Sequence, residues 1–147
     1  MKESVEERYL AFIAEKISHS AEPILFPPPV YTSMQGKLLE FDVKEGRLKN
    51  RFPILKEQLN PFGNMQGGMI TAAMDNTVGP LSILIGPPSF TRYMDIKYCK
   101  VIPLSLENIY VTATFTHQKK RQLFFSVSVC NEAGDELASA KSTHWII

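Results

Sequence analysis

Residues 68–85 constrain the fold of this chain more than any other stretch. Met69, Ile70, Ala72, Ala73, Met74, Val78, Leu81, Ile83, Leu84 and Ile85 nearly surround the axis of a helix drawn through them. A helix that is apolar on all sides has no face to offer water, so other elements must wrap it. Gly86-Pro87-Pro88 ends it, and Gly79-Pro80 predicts a kink or break near its last turn.

The rest of the chain supplies the wrapping. Leu39, Phe41 and Val43 alternate with polar residues, Lys44-Glu45-Gly46 reads as a turn, and Leu48 to Ile54 reads as the return strand. After the helix, strands are expected over Thr91–Val101, Glu107–Gln118, Leu123–Cys130 and Glu136–Ile147, with turns at 119–122 and 133–135. Ahead of all this, Val5, Tyr9, Phe12, Ile13 and Ile17 recur at helical spacing over residues 4–18, and Ser4 with Glu7 has capping-box spacing. Pro23, Pro27, Pro28 and Pro29 then predict an extended connector over residues 21–35. The expected class is α+β: a strongly curved antiparallel sheet wrapped around one central helix, with an extra N-terminal helix over residues 1–20. The 147 residues make one domain with no internal repeat.

Charge and cysteine usage exclude several functions. Sixteen Lys and Arg against fifteen Asp and Glu give a net charge of +1, without the basic excess of a general nucleic-acid binder. Two cysteines, Cys99 and Cys130, make no disulfide scaffold, and with three scattered histidines they make no zinc pattern; both are expected to be small buried residues. The opening MKESVEERYL lacks the basic-then-apolar order of a signal peptide, and no apolar run is long enough to cross a membrane. A cytoplasmic protein without a metal, a cofactor or a membrane partner is expected.

The chemistry concentrates in Asn60-Pro61-Phe62-Gly63-Asn64-Met65-Gln66-Gly67-Gly68, followed by Asp75. Two glycines at a helix start leave amides uncovered at the positive end of the dipole, where a carbonyl oxygen can develop charge. They equally permit tight packing. Asp75 is a carboxylate within an apolar helix, either paired structurally or serving as nucleophile or general base. It lies about 12 Å along the helix from Gly67 at ~1.5 Å per residue. One carbonyl cannot touch both on one chain. If both serve one reaction, two chains must contribute, through antiparallel helices across a two-fold axis.

This segment resembles hotdog-fold acyl-CoA thioesterases of the phenylacetate-degradation (PaaI-like) type, from about residue 36 to the end, and Met94-Asp95-Ile96-Lys97-Tyr98 agrees with it. The resemblance implies a hotdog fold and hydrolysis of an acyl-CoA or related thioester, coenzyme A being part of the substrate, in a homodimer or homotetramer. It makes Asn60 a group that places water or thioester, Gly67 the amide that polarises the carbonyl, Asp75 the nucleophile or general base, and Thr91 a hydroxyl that orients water. Gln66 departs from the family's usual His; it donates a hydrogen bond but carries no proton or charge. Gly68, Phe62, Met65, Met69, Met74 and Phe90 are expected along the acyl group, and Lys119, Lys120 and Arg121 near the coenzyme A phosphates, although a solvated hairpin turn explains those three equally. Gln66 also motivates a second reading, a non-catalytic acyl-CoA binding protein. A hydratase ranks below both, because no His lies near Asp75 in sequence, and an interaction protein is disfavoured by the glycine pair and the acid. His144 and Trp145 are expected to be structural.

Overall fold

The computed structural model describes residues 2–19 and 24–147; Pro23 and the side chain of Ile17 lie outside the described residues. Its elements in order are α1 (Val5–Ser18), α2 (Pro29–Ser33), β1 (Lys37–Asp42), β2 (Arg47–Pro53), α3 (Gly67–Ile85), β3 (Ser89–Tyr98), β4 (Asn108–Lys119), β5 (Gln122–Cys130) and β6 (Glu136–Ile146). The six strands form one antiparallel sheet in the order β1-β2-β4-β5-β6-β3. The curved sheet wraps α3, whose Met74, Val78, Leu81 and Leu84 are buried with Leu48, Phe52, Val111 and Phe125 from the strands.

α1 begins as its sequence predicts. The Ser4 amide donates to Glu7 Oε2 at 2.8 Å, and the Glu7 amide donates to Ser4 Oγ at 3.1 Å. Tyr9 and Ile13 are buried, but Phe12 is 46% exposed, so the apolar stripe is narrower than its spacing suggests.

Two expectations fail for reasons of local chemistry. The proline-rich connector contains the short helix α2, which starts at Pro29 because a proline at a first helical position forgoes an amide that has no helical partner there. Its Tyr31 is buried. In β1 it is Leu38 that enters the core, while Leu39 and Phe41 are half-buried, because a register shift between Leu38 and Glu40 changes which residues face inward.

Of the kink or break expected at Gly79-Pro80, a break does not occur: α3 runs as one helix from Gly67 to Ile85. Pro80 has no amide for the Asn76 carbonyl, four residues back. Asn50 on β2 supplies the missing donor. Its Nδ2 reaches Asn76 O at 3.2 Å and Thr77 Oγ1 at 3.1 Å, and its Oδ1 accepts the Tyr31 hydroxyl at 2.9 Å. The Tyr9 hydroxyl donates to the Pro80 carbonyl at 2.9 Å, which ties α1 to the same turn. Burial raises the pKa of both tyrosines, so both hydroxyls stay donors.

α3 is also not wrapped on every side. Gly68 is exposed, and Ala72, Asp75, Gly79 and Ile83 are half-buried along one face. β3 is an edge strand, with Phe90, Tyr93 and Tyr98 each at least 49% exposed.

Candidate active site

The residues predicted to be catalytic fall into two clusters at opposite ends of β3. The first surrounds the start of α3, where Asn60, Asn64, Met65, Gly67, Ile70 and Tyr98 to Ile102 line a hollow of about 360 Å³. The Asn60 side chain organises the loop before the helix. Its Oδ1 accepts the amides of Phe62 (2.9 Å) and Asn64 (3.1 Å), and its backbone amide donates to Asn64 O at 2.7 Å. Two amides fix which end of the carboxamide is oxygen, and Nδ2 has no partner among the described residues.

Gln66 precedes the helix with extended backbone, and its carbonyl accepts the Met69 and Ile70 amides at 2.9 and 3.1 Å. The amides of Gly67 and Gly68 have no acceptor among the described residues. Neither position needs glycine to avoid a clash. A Cβ on Gly67 would stand 3.4 Å from the Tyr98 ring, and one on Gly68 would stand 3.3 Å from Gln66 Oε1. The Gln66 side chain therefore lies over Gly68, beside the open amides. Tyr98 is held by a 2.6 Å hydrogen bond between its hydroxyl and Thr71 Oγ1, which also donates to Gly67 O.

The second cluster surrounds Asp75. Asp75, Asn76, Gly79, Ser89, Phe90, Thr91 and His144 line a hollow of about 410 Å³, together with Leu25, Phe26 and Pro28. Thr91 Oγ1 donates to Asp75 Oδ1 at 2.6 Å. The same Thr91 oxygen lies 3.2 Å from His144 Nε2, and His144 Nδ1 lies 3.0 Å from Ser89 Oγ. Burial pushes the His144 imidazole below its ordinary pKa, while the Asp75 charge pulls it upward.

His144 was missed by sequence reasoning because it lies far along the chain from Asp75. The available signal was register: His144 faces Thr91 directly across the β3–β6 ladder.

Several expected contacts fall elsewhere. Phe62 is 87% exposed on its loop, and Met74 is fully buried in the core, so neither lines a hollow on the single chain; Met65 and Phe90 do. Cys99 is exposed beside the first hollow rather than buried, and Cys130 is half-buried. Lys119, Lys120, Arg121, Gln122 and Trp145 line a separate hollow of about 320 Å³ at the β4–β5 hairpin. Arg121 spends two of its N–H groups on the Ile146 carbonyl (3.2 and 2.8 Å) and lies over Trp145, with Arg92 at 4.3 Å from the same ring centroid. No helix among the described residues is long and apolar enough to cross a membrane.

No family model and no curated protein matches the chain. Solved structures do. A Streptococcus mutans protein bound to acetyl CoA superposes with a TM-score of 0.71 at 22% identity, covering 88% of this chain and 96% of its own. A Ralstonia eutropha protein, described as a candidate thioesterase related to phenylacetic acid degradation, gives 0.76 at 18% identity, over 92% and 99%. The PaaI protein of the Escherichia coli phenylacetic acid degradation operon gives 0.75 at 14% identity, over 98% and 96%. At such identities the likeness is one of fold. The chain has the hotdog fold, shared with PaaI-type and coenzyme A-binding proteins.

Proposed function

We propose that the protein hydrolyses an acyl-CoA or related thioester at a site built by two copies of the chain. The observation that carries this reading is the split between the two clusters: open amides at one end of β3, a held carboxylate at the other. β3 is an unpaired edge. An antiparallel pair of β3 strands centred between Met94 and Asp95 would set Thr91 of one chain across from Tyr98 of the other. The open face of α3 lies beside that edge. Two such helices crossing near Thr71 would bring the partner subunit's Asp75 to the Gly67 amide, and the glycines and alanine on that face allow close approach.

In that arrangement the Gly67 amide, the Gly68 amide and Asn60 Nδ2 are donors for the thioester carbonyl oxygen as it gains charge. The Gln66 carboxamide adds a donor where relatives of this type usually carry His. The partner subunit's Asp75 takes a proton from a water that adds to the thioester carbon. The C–S bond then breaks, the thiolate recovers that proton, and a carboxylic acid and free coenzyme A leave. Direct attack by Asp75 Oδ2 would instead give an anhydride that water opens; one turnover in ¹⁸O-water would label Asp75 in that case only. Phe90, Met65 and the partner's exposed apolar side chains would accept the acyl group. Lys119, Lys120 and the free edge of Arg121 are the basic groups offered to the phosphates.

The test is steady-state hydrolysis of an acyl-CoA panel, with Asp75→Asn as the control. Asp75-dependent release of free thiol is expected. Tight binding with no such turnover would leave the second reading, an acyl-CoA binding protein, for which Gln66 is the favouring feature.

A further inference from the structure

Ser89 and Thr91 lie two residues apart on β3, so their side chains share one face of the sheet. His144 faces Thr91 across the β3–β6 ladder and reaches both hydroxyls, with Nδ1 at 3.0 Å from Ser89 Oγ and Nε2 at 3.2 Å from Thr91 Oγ1. Thr91 Oγ1 lies 2.6 Å from Asp75 Oδ1. The four side chains form one continuous row, and His144 within it is only 2% exposed.

Counting protons gives the row a direction. An ionised carboxylate only accepts, so the single Thr91 hydroxyl proton must point at Asp75 Oδ1. Thr91 Oγ1 can then meet His144 only as an acceptor, which requires a proton on Nε2. A neutral imidazole with its proton on Nε2 has a bare Nδ1, and that nitrogen accepts from the Ser89 hydroxyl. The opposite tautomer would draw the Thr91 proton toward His144 and leave two oxygens 2.6 Å apart with no proton between them. The Asp75 carboxylate thus aims the Thr91 proton, the Thr91 oxygen selects the tautomer, and Ser89 donates to the bare Nδ1.

We infer that His144 is a positioning residue for the carboxylate: by donating from Nε2 to Thr91 Oγ1 it commits the Thr91 proton to Asp75 Oδ1 and leaves Oδ2 as the reacting oxygen. Oδ2 has no partner among the described residues and belongs to a side chain that lines the hollow. The inference rests on the reading of Asp75 as the hydrolytic carboxylate.

Four variants and one spectrum test it. His144→Phe is expected to lower kcat about ten- to a hundredfold, the scale of a misplaced reacting group, with KM within about twofold. His144→Gln, which keeps an N–H donor near the Nε2 position, should recover most of that loss. Thr91→Val should cost about as much as His144→Phe, and the double variant no more than either, because both cut the same row. The ¹⁵N resonances of His144 in the wild-type protein should report a protonated Nε2 and a bare Nδ1.

An unchanged kcat in His144→Phe, where Asp75→Asn has abolished turnover, would overturn the inference. So would multiplicative losses in the double variant, or a protonated Nδ1 in the spectrum. If His144→Phe does not fold, His144→Gln against Thr91→Val and the spectrum decide by the same criteria. A wild-type protein without turnover would remove the hydrolytic reading, while the tautomer would still decide whether the row runs as described.

Discussion

The two ends of β3 handle polar groups in opposite ways. Around Gly67, donors are left over: two glycine amides and Asn60 Nδ2 have no acceptor among the described residues. Around Asp75 nearly everything is used: Ser89, His144, Thr91 and Oδ1 satisfy one another in a row, and one carboxylate oxygen remains. Open donors suit charge that appears only when substrate arrives. A saturated row suits a group whose orientation must be fixed beforehand, so that no free energy is spent aligning it during the reaction. The Gly67 end thus resembles a binding surface awaiting its ligand, and the Asp75 end a part already assembled.

The sharpest way to break this division is Asp75→Asn. The asparagine keeps an oxygen for Thr91, so the row survives while the base is lost; turnover should fall about 10²- to 10⁴-fold with the melting temperature unchanged. A variant that still turns over would place the chemistry elsewhere. Asn60→Asp tests the other end. It retains the acceptor that closes the loop onto Phe62 and Asn64 and deletes the donor, so kcat should fall about 10²-fold or more, again without loss of stability. Mixing these two inactive proteins after unfolding and refolding together should restore activity. Each mixed dimer would hold one site with both lesions and one intact site, and random pairing would return about a quarter of wild-type activity. No recovery would mean that both ends act within one chain.

A smaller effect separates the site from its support. Asn50→Ala removes the donor for the Asn76 carbonyl and should cost about 1–3 kcal/mol by denaturant unfolding. Pro80→Ala restores an amide at that position and should relieve part of the cost in the double variant. The smallest effect expected is on pH dependence. The His144 pKa is lowered in the folded state from its ordinary 6.5 by burial, so below 6.5 the unfolded chain binds that proton more readily. Stability from this group is full above 6.5 and declines on acidification toward the folded value, by at most about 1.4 kcal/mol per pH unit. His144→Gln should flatten that part of the profile in unfolding experiments on either side of 6.5.

Much of the frame was legible in the residues. The capping box of Ser4 and Glu7, the apolar run of α3 and the alternation of Ile109, Val111 and Ala113 are local patterns, and each was realised. What escaped depended on register or on distant partners. The bulge that places Leu38 inward leaves no mark in composition. The continuity of α3 through Pro80 depends on an asparagine in another element, and His144 meets Thr91 only because β6 lies beside β3. The separation of Gly67 from Asp75 was foreseeable from helix rise alone, and the two separate hollows agree with it.

Pro80 has one further consequence, for the order in which the chain folds. A helix normally closes each of its own rungs from residues four apart, so it can form before anything packs on it. The rung at Asn76 closes instead from Asn50, which comes 26 residues earlier in the chain and on a different element. That rung therefore has no local donor. That one bond forms only when β2 docks, so the far end of α3, with the Asp75 wall of the hollow, is completed by the sheet.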